Sequence, residues 1–69
     1  MNYPLQGQEY IELIKLMKFL GLVDTGGEAK HAVEEGEVMV NEEVEYRKRR
    51  KLRTGDRIEF AGTKILIES

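Results

Sequence analysis

The hydrophobic period of this chain changes once, at Gly36, and that change constrains the fold more than any other feature. Before Gly36 the apolar residues recur with the 3.6-residue period of a helix. After it, Val38 and Val40 alternate with their neighbours, and Ile58 and Phe60 do the same, which is the two-residue period of half-buried strands. The sequence therefore predicts an α+β fold, with two packed N-terminal helices followed by a small antiparallel sheet of three to four short strands.

We predict the first helix over residues 9–20, because its apolar side chains fall within one arc of about 160° on a helical wheel. They are Leu13, Ile14, Leu16, Met17 and Leu20. Gly21 follows the periodic run and can take the left-handed conformation that ends helices. Phe19 lies outside the arc, and we expect a neighbouring strand to cover it; a base-stacking surface is the alternative.

A capping box predicts the start of the second helix. In Thr25-Gly26-Gly27-Glu28, the Thr25 hydroxyl can accept from the N–H of Glu28, and the Glu28 carboxylate can accept from the N–H of Thr25. We therefore predict a helix from near Gly26 to about Glu35. Turns are expected at residues 41–43, at residues 55–56 and near residue 62, with a closing strand over 63–67.

Composition excludes several chemistries. The chain has 69 residues, no cysteine and one histidine, so disulfides, thiol nucleophiles and Cys/His metal clusters are ruled out. We expect one small domain over residues 1–69, without a cofactor or metal.

The paired acids at 34–35 and 42–43 lie on predicted exposed elements with no pocket to shift their pKa values, so we expect no enzyme. The chain has no basic leader followed by an apolar run, which favours the cytoplasm.

Charge is divided between two adjacent blocks. Six acids and no base lie between Glu34 and Glu45, while six of the eleven bases and no acid lie between Arg47 and Arg53. The net charge is −2, so the sequence describes an acidic protein with one dense cationic segment.

Six like charges repel one another, and nucleic-acid phosphates are a common dense anion that offsets such repulsion. Arginine can hold a phosphate with two parallel hydrogen bonds and can stack on bases. We therefore predict an RNA-binding surface that also includes lysines of the two helices. Its predicted residues are Lys15, Lys18, Lys30, Tyr46, Arg47, Lys48, Arg49, Arg50, Lys51 and Arg53.

Two alternatives compete with this prediction. The basic run can be a solvated connection balanced by the acids of residues 34–45, with Lys15 paired to Glu12 and Lys30 paired to Glu34. The chain can also be a protein-interaction module, either docking an acidic partner or resembling a ubiquitin-like carrier. Such carriers end in Gly-Gly, whereas this sequence reads Ile67-Glu68-Ser69 at its end.

Several motifs taken together resemble the S-four RNA-binding domain, also called the αL motif. They are Thr25, Ala29 and Val33 at four-residue intervals, the segment 36–41 (Gly-Glu-Val-Met-Val-Asn) and the segment 52–58 (Leu-Arg-Thr-Gly-Asp-Arg-Ile). The resemblance covers about residues 11–60. Glu45-Tyr46-Arg47-Lys48-Arg49 is similar to the short stand-alone bacterial proteins of this type.

The resemblance implies binding of structured RNA, ribosomal or transfer RNA, through the two-helix face and the adjoining loops. It implies no catalysis by the module itself. Separately, we expect no membrane association, no small-molecule substrate and a monomer. The chain departs from the family pattern at Gly26, where an arginine is common, and at Glu42, where a glycine is common. We infer that the bases of residues 47–53 supply the charge missing from the second helix.

Overall fold

Two short helices lie between strands in this protein. The computed structural model describes residues 1–69. The elements in chain order are β1 (Asn2–Pro4), β2 (Ile11–Glu12), α1 (Leu13–Phe19), α2 (Gly26–Glu34), β3 (Val38–Val40), β4 (Glu43–Val44), β5 (Lys51–Leu52), β6 (Arg57–Phe60) and β7 (Thr63–Glu68). Neither helix combines the length and the apolar character that a membrane crossing requires.

The predicted fold class is wrong in its order and in its sheet. A strand precedes the helices, and the main sheet has five strands in the order β1-β7-β6-β3-β4. This sheet is mixed, since β1 runs parallel to β7, with Asn2 opposite Leu66 and Pro4 opposite Glu68. The other pairs in the sheet are antiparallel. Three residues that include a proline carry no alternating pattern, and Pro4 is tolerated because β1 is an edge strand.

The first helix begins at Leu13 instead of Glu9. Ile11 pairs with Leu52 in a separate two-stranded ribbon formed by β2 and β5. Residues that pair with a distant strand cannot also form the first turn of a helix. The helical period of the sequence continues through this segment, so the pattern alone does not locate the boundary.

The second helix begins at Gly26, as the capping box predicts. The N–H of Glu28 donates to the Thr25 hydroxyl oxygen at 3.1 Å, which confirms the first half of that motif. The second half is wrong, because the Glu28 carboxylate accepts from the N–H of Asp24 at 3.2 Å. Gly36 has φ of 75°, a left-handed conformation that glycine adopts without a steric penalty, and the helix has ended before it.

The core lies between the helices and one face of the five-stranded sheet. Its buried side chains are Leu5, Leu13, Leu16, Met17, Ala29, Ala32, Val33, Val38, Val40, Leu52, Ile58, Ile65 and Ile67. The burial of Val38 and Val40 confirms the predicted inward face of β3, and on β6 Ile58 is buried as predicted while Phe60 is half-buried. Ile65 and Ile67 alternate with exposed residues on β7 and are also buried. The opposite face of the sheet bears the exposed residues Lys64 and Leu66.

The expectation that a strand covers Phe19 is wrong. Phe19 is 75% exposed and meets the ring of Tyr3 edge to face, with the centroids 6.1 Å apart. The strand that carries Tyr3 is hydrogen-bonded to β7 and leaves most of the Phe19 side chain exposed. A phenylalanine this exposed has lost the usual benefit of burying an aromatic ring.

We expect Leu5→Ala to destabilise the protein by about 2–4 kcal/mol, because it leaves a cavity under the N-terminal strand. Leu5 is 4% exposed, and its N–H donates to the carbonyl of Glu68 at 2.8 Å. Urea denaturation measures the loss. The control is Leu66→Ala, at a site 39% exposed on the other face of the sheet, with an expected loss under about 1 kcal/mol. Equal losses of stability in the two variants would contradict the buried position of Leu5 after the N-terminal strand.

Candidate nucleic-acid interface

A buried carboxylate, Glu45, holds the cationic segment, which is defined here as residues 47–53. Glu45 is 6% exposed. Its Oε2 accepts from Nε of Arg47 at 2.9 Å and from the backbone N–H of the same residue at 3.0 Å. Its Oε1 accepts from Nη1 of Arg50 at 2.7 Å. Both carboxylate oxygens are therefore engaged by two arginines that lie on either side of a turn.

These contacts set the charge state of Glu45. The side-chain hydrogen bond from Arg47 lowers the pKa of Glu45 to about 2, helped by hydrogen bonds from Arg50 and from the Arg47 backbone. Burial acts in the opposite direction but does not cancel these bonds. The same contact raises the pKa of Arg47. At neutral pH the cluster therefore contains one full negative and two full positive charges.

The backbone of the cationic segment lies across the N-terminus of α1. The first N–H groups of a helix have no acceptor within the helix. Here the N–H of Leu13 donates to the carbonyl of Arg50 at 2.9 Å, and the N–H of Ile14 donates to the carbonyl of Lys48 at 3.2 Å. The N–H of Arg50 closes the intervening turn by donating to the carbonyl of Arg47 at 3.1 Å. The helix and the segment thus fix each other's position.

Four of the predicted cations line one shallow concavity that has no apolar side chain. They are Arg47, Arg49, Arg50 and Lys51. Two of these, Arg47 and Arg50, also hold Glu45, while Arg49 is exposed and forms no ion pair. The structure therefore brings together the centre of the predicted basic run.

Further side-chain contacts of the segment lie at its two sides. Lys48 Nζ is 3.8 Å from Glu34 Oε2, at the end of α2. Lys51 and Arg53 stand over the ring of Tyr10, at 4.9 and 5.5 Å from its centroid, in cation–π contacts. Tyr10 is thus the aromatic partner of one edge of the segment.

Internal carboxylates neutralise the segment only in part. Glu34 and Glu45 are the acids that pair with it, against six bases, so an excess of four positive charges remains. The expected pairing of Lys30 with Glu34 is wrong, because Glu34 pairs with Lys48. The expected pairing of Lys15 with Glu12 is confirmed at 3.7 Å.

The other predicted residues fall into separate places. Lys15 and Lys18 lie on α1 and line a groove together with Phe19. Lys30 is exposed on α2 and lines none of the surface concavities. Tyr46 is exposed, but its ring lies against Gly36, where an added Cβ would come within 3.2 Å of the tyrosine hydroxyl.

Sequence reasoning missed two residues that shape this surface, Glu45 and Tyr10. Glu45 carries no local signal that separates it from the other acids of its block. Tyr10 is 41 positions from Lys51, so their contact depends on the pairing of β2 with β5. Both contacts are properties of the tertiary fold.

A family model and two related proteins agree with one another in the comparison with known proteins. A family model described as "S4 domain" matches residues 3–68. The chain is 37% identical over 66 residues to "Putative RNA-binding protein YbcJ" of Escherichia coli (strain K12), covering 96% of this chain and 94% of that protein. It is 41% identical over 54 residues to "Probable ribosome maturation protein RlbA" of Bacillus subtilis (strain 168), covering 78% and 76%.

A solved structure extends the comparison to the fold. The solution structure of YbcJ from E. coli superposes with a TM-score of 0.75 at 35% sequence identity, covering 99% of this chain and 86% of that one. That structure is described as revealing an αL motif involved in RNA-binding.

We expect Glu45→Gln to destabilise the protein by about 1–2 kcal/mol near neutral pH, a value reduced for the solvent exposure of Arg47. Because the pKa of Glu45 is lowered, from 4.5 to about 2, the carboxylate stabilises the fold fully above pH 4.5. That stabilisation is lost as the pH falls through 2. As the pH falls across this range, urea denaturation is expected to give free energies of unfolding for the wild type and the variant that converge.

The matched control for this prediction is Glu43→Gln, which removes the same charge from an exposed residue without an ion pair. We expect little change in its stability at any of these pH values. A constant difference between Glu45→Gln and the wild type over the whole range would show that ionisation of Glu45 is not the cause.

Proposed function

The chain belongs to the S4 domain family, and we propose that it binds structured RNA, without catalysis, through the cationic segment and the adjoining face of α1. The observation that carries the proposal is the concavity formed by Arg47, Arg49, Arg50 and Lys51. The printed names of YbcJ and RlbA, which refer to RNA binding and to ribosome maturation, support it. The alternatives of a carrier or an acidic protein partner have no corresponding support.

The chemistry of the concavity suits phosphate. Its lining is entirely cationic, so an entering group must be an anion that offsets the repulsion among the side chains. Arg49 is free of internal ion pairs, and Arg47 is mostly exposed even while it holds Glu45. Guanidinium groups can hold phosphate oxygens with parallel hydrogen bonds. Because Glu45 and α1 already fix the backbone, little further ordering is needed on binding.

The proposed roles differ among the predicted residues. The four residues of the concavity contact successive phosphates. Lys15, Lys18, Lys48 and Arg53 extend the positive surface on its two sides. Lys30 and Tyr46 lie outside the concavity, and we assign them a peripheral part.

The finer parts of the proposal concern the RNA and the state of the protein. We propose ribosomal RNA ahead of transfer RNA, because RlbA is named for ribosome maturation. On the same ground we propose that the protein acts in the cytoplasm. We further propose that residues 1–69 act as one module and bind as a monomer.

We expect the affinity for an RNA hairpin to fall with salt. If four to six phosphates are contacted, log K plotted against log salt has a slope of about −3 to −5. Fluorescence anisotropy with a labelled hairpin measures the slope. A slope near zero would contradict the proposal, and equal competition by polyglutamate and by transfer RNA at matched salt would favour an acidic protein partner.

We expect the double variant Arg49→Gln/Lys51→Gln to weaken RNA binding about tenfold or more and to reduce the salt slope by about 2, because two phosphate contacts are lost. This pair leaves the Glu45 cluster intact. Replacing Arg47 or Arg50 instead would leave a buried carboxylate short of a partner and would confuse binding with folding.

The matched control is Arg57→Gln/Lys64→Gln, which removes the same total charge from exposed residues of β6 and β7. We expect its affinity to change little, since neither residue lies in the cationic concavity. Equal losses in the two double variants would mean that net charge, and not this surface, governs binding.

A further inference from the structure

Beside the cationic segment lies a groove whose aromatic side chains have no role in phosphate binding. It lies between the N-terminal residues and α1. Its lining includes Tyr3, Gln8, Tyr10, Lys15, Lys18 and Phe19. Three aromatic rings and two lysines in one groove are an unusual combination for a chain that has five aromatic residues in all.

Phe19 presents an aromatic ring to solvent. It is 75% exposed, and the ring of Tyr3 meets it edge to face at an interplanar angle of 79°. An edge contact of this kind orients the ring without covering both of its faces. The structure therefore holds a flat apolar surface open, and a flat partner can stack on it.

The groove is continuous with the cationic segment. Tyr10 lines the groove, and Lys51 and Arg53 of the segment stand over its ring. On the other side, Lys18 is exposed next to Phe19 and forms no ion pair, whereas Lys15 is paired with Glu12. A strand of RNA whose phosphates lie on the segment therefore reaches the groove across Tyr10, and Glu12, the one acid in the groove lining, is paired with Lys15.

We propose that this groove takes one unpaired base of the bound RNA, which stacks on Phe19 while its phosphate lies against Lys18. The proposal rests on the RNA binding proposed above and adds the kind of RNA structure that is recognised. A paired base inside a helix has both faces covered by its neighbours, so an unpaired base is required. Lysines at the rim distinguish this occupant from an apolar peptide, which gains nothing from positive charge.

The test compares two RNA hairpins that are closed by the same non-nucleotide linker and have equal numbers of phosphates, one with a fully paired stem and one with unpaired nucleotides in the stem. We expect the wild type to prefer the second hairpin by about 5- to 100-fold, as stacking of a base on an aromatic ring implies. Phe19→Leu keeps an apolar side chain but removes the aromatic ring, and it is expected to abolish the preference. Affinity for the paired hairpin is expected to remain, because the cationic segment is unchanged.

Two further variants serve as controls. Phe19→Tyr restores a stacking ring and is expected to keep the preference. Val44→Ala removes an exposed apolar group away from the groove and is expected to bind both hairpins as the wild type does. Thermal unfolding of every variant checks the fold, which we expect to be little changed because Phe19 and Val44 are exposed.

The outcomes separate this proposal from the proposed function. Binding of both hairpins with equal affinity by the wild type, or equal weakening of both by Phe19→Leu, would overturn the base groove and leave RNA binding intact. Binding of neither hairpin would overturn both. A dimer that forms with rising concentration and is lost in Phe19→Leu would make a second copy of the chain the occupant and would also overturn the proposal.

Discussion

The ion-pair cluster around Glu45 is the interaction on which the cationic surface depends. Six bases within seven residues repel one another, and a free loop of this composition would expand. One buried carboxylate that accepts hydrogen bonds from Arg47 and Arg50 closes the loop into a turn. Burying the Glu45 carboxylate is costly and offsets part of what its ion pairs contribute, so the main effect of the cluster is the shape that it imposes. That shape leaves Arg49 and Lys51 pointing into the same concavity.

A second constraint couples the segment to the helices. The carbonyls of Lys48 and Arg50 satisfy the N–H groups of Ile14 and Leu13, which would otherwise lack acceptors at the start of α1. Leu52, the next residue with a buried side chain, anchors the segment in the core. Displacing the segment would therefore break backbone hydrogen bonds of the helix and expose a core leucine. These contacts therefore set the position of the cationic segment relative to the groove beside α1.

The sequence predicted features whose signals are local. The Thr25 cap, the start of α2, the inward face of β3 and the burial of Ile58 on β6 follow from neighbouring residues and were correct. The N-terminal strand and the late start of α1 depend on pairing with residues about 40 to 60 positions away, and no local pattern records such pairing. The basic run itself was visible, but the roles of Glu45 and Tyr10 came only from the tertiary contacts.

An acidic protein can bind a polyanion when most of its acidic residues lie far from its basic residues. The molecule measures 30 × 23 × 19 Å, whereas charge interactions in physiological salt are screened over about 8 Å. Acidic residues that lie farther than this from the bound RNA therefore weaken its binding little. Glu34 and Glu45, which are near, are used to position cations. Outside the cationic segment the chain has thirteen acids and five bases, so the rest of the molecule repels phosphates, while the segment keeps a local excess of positive charge.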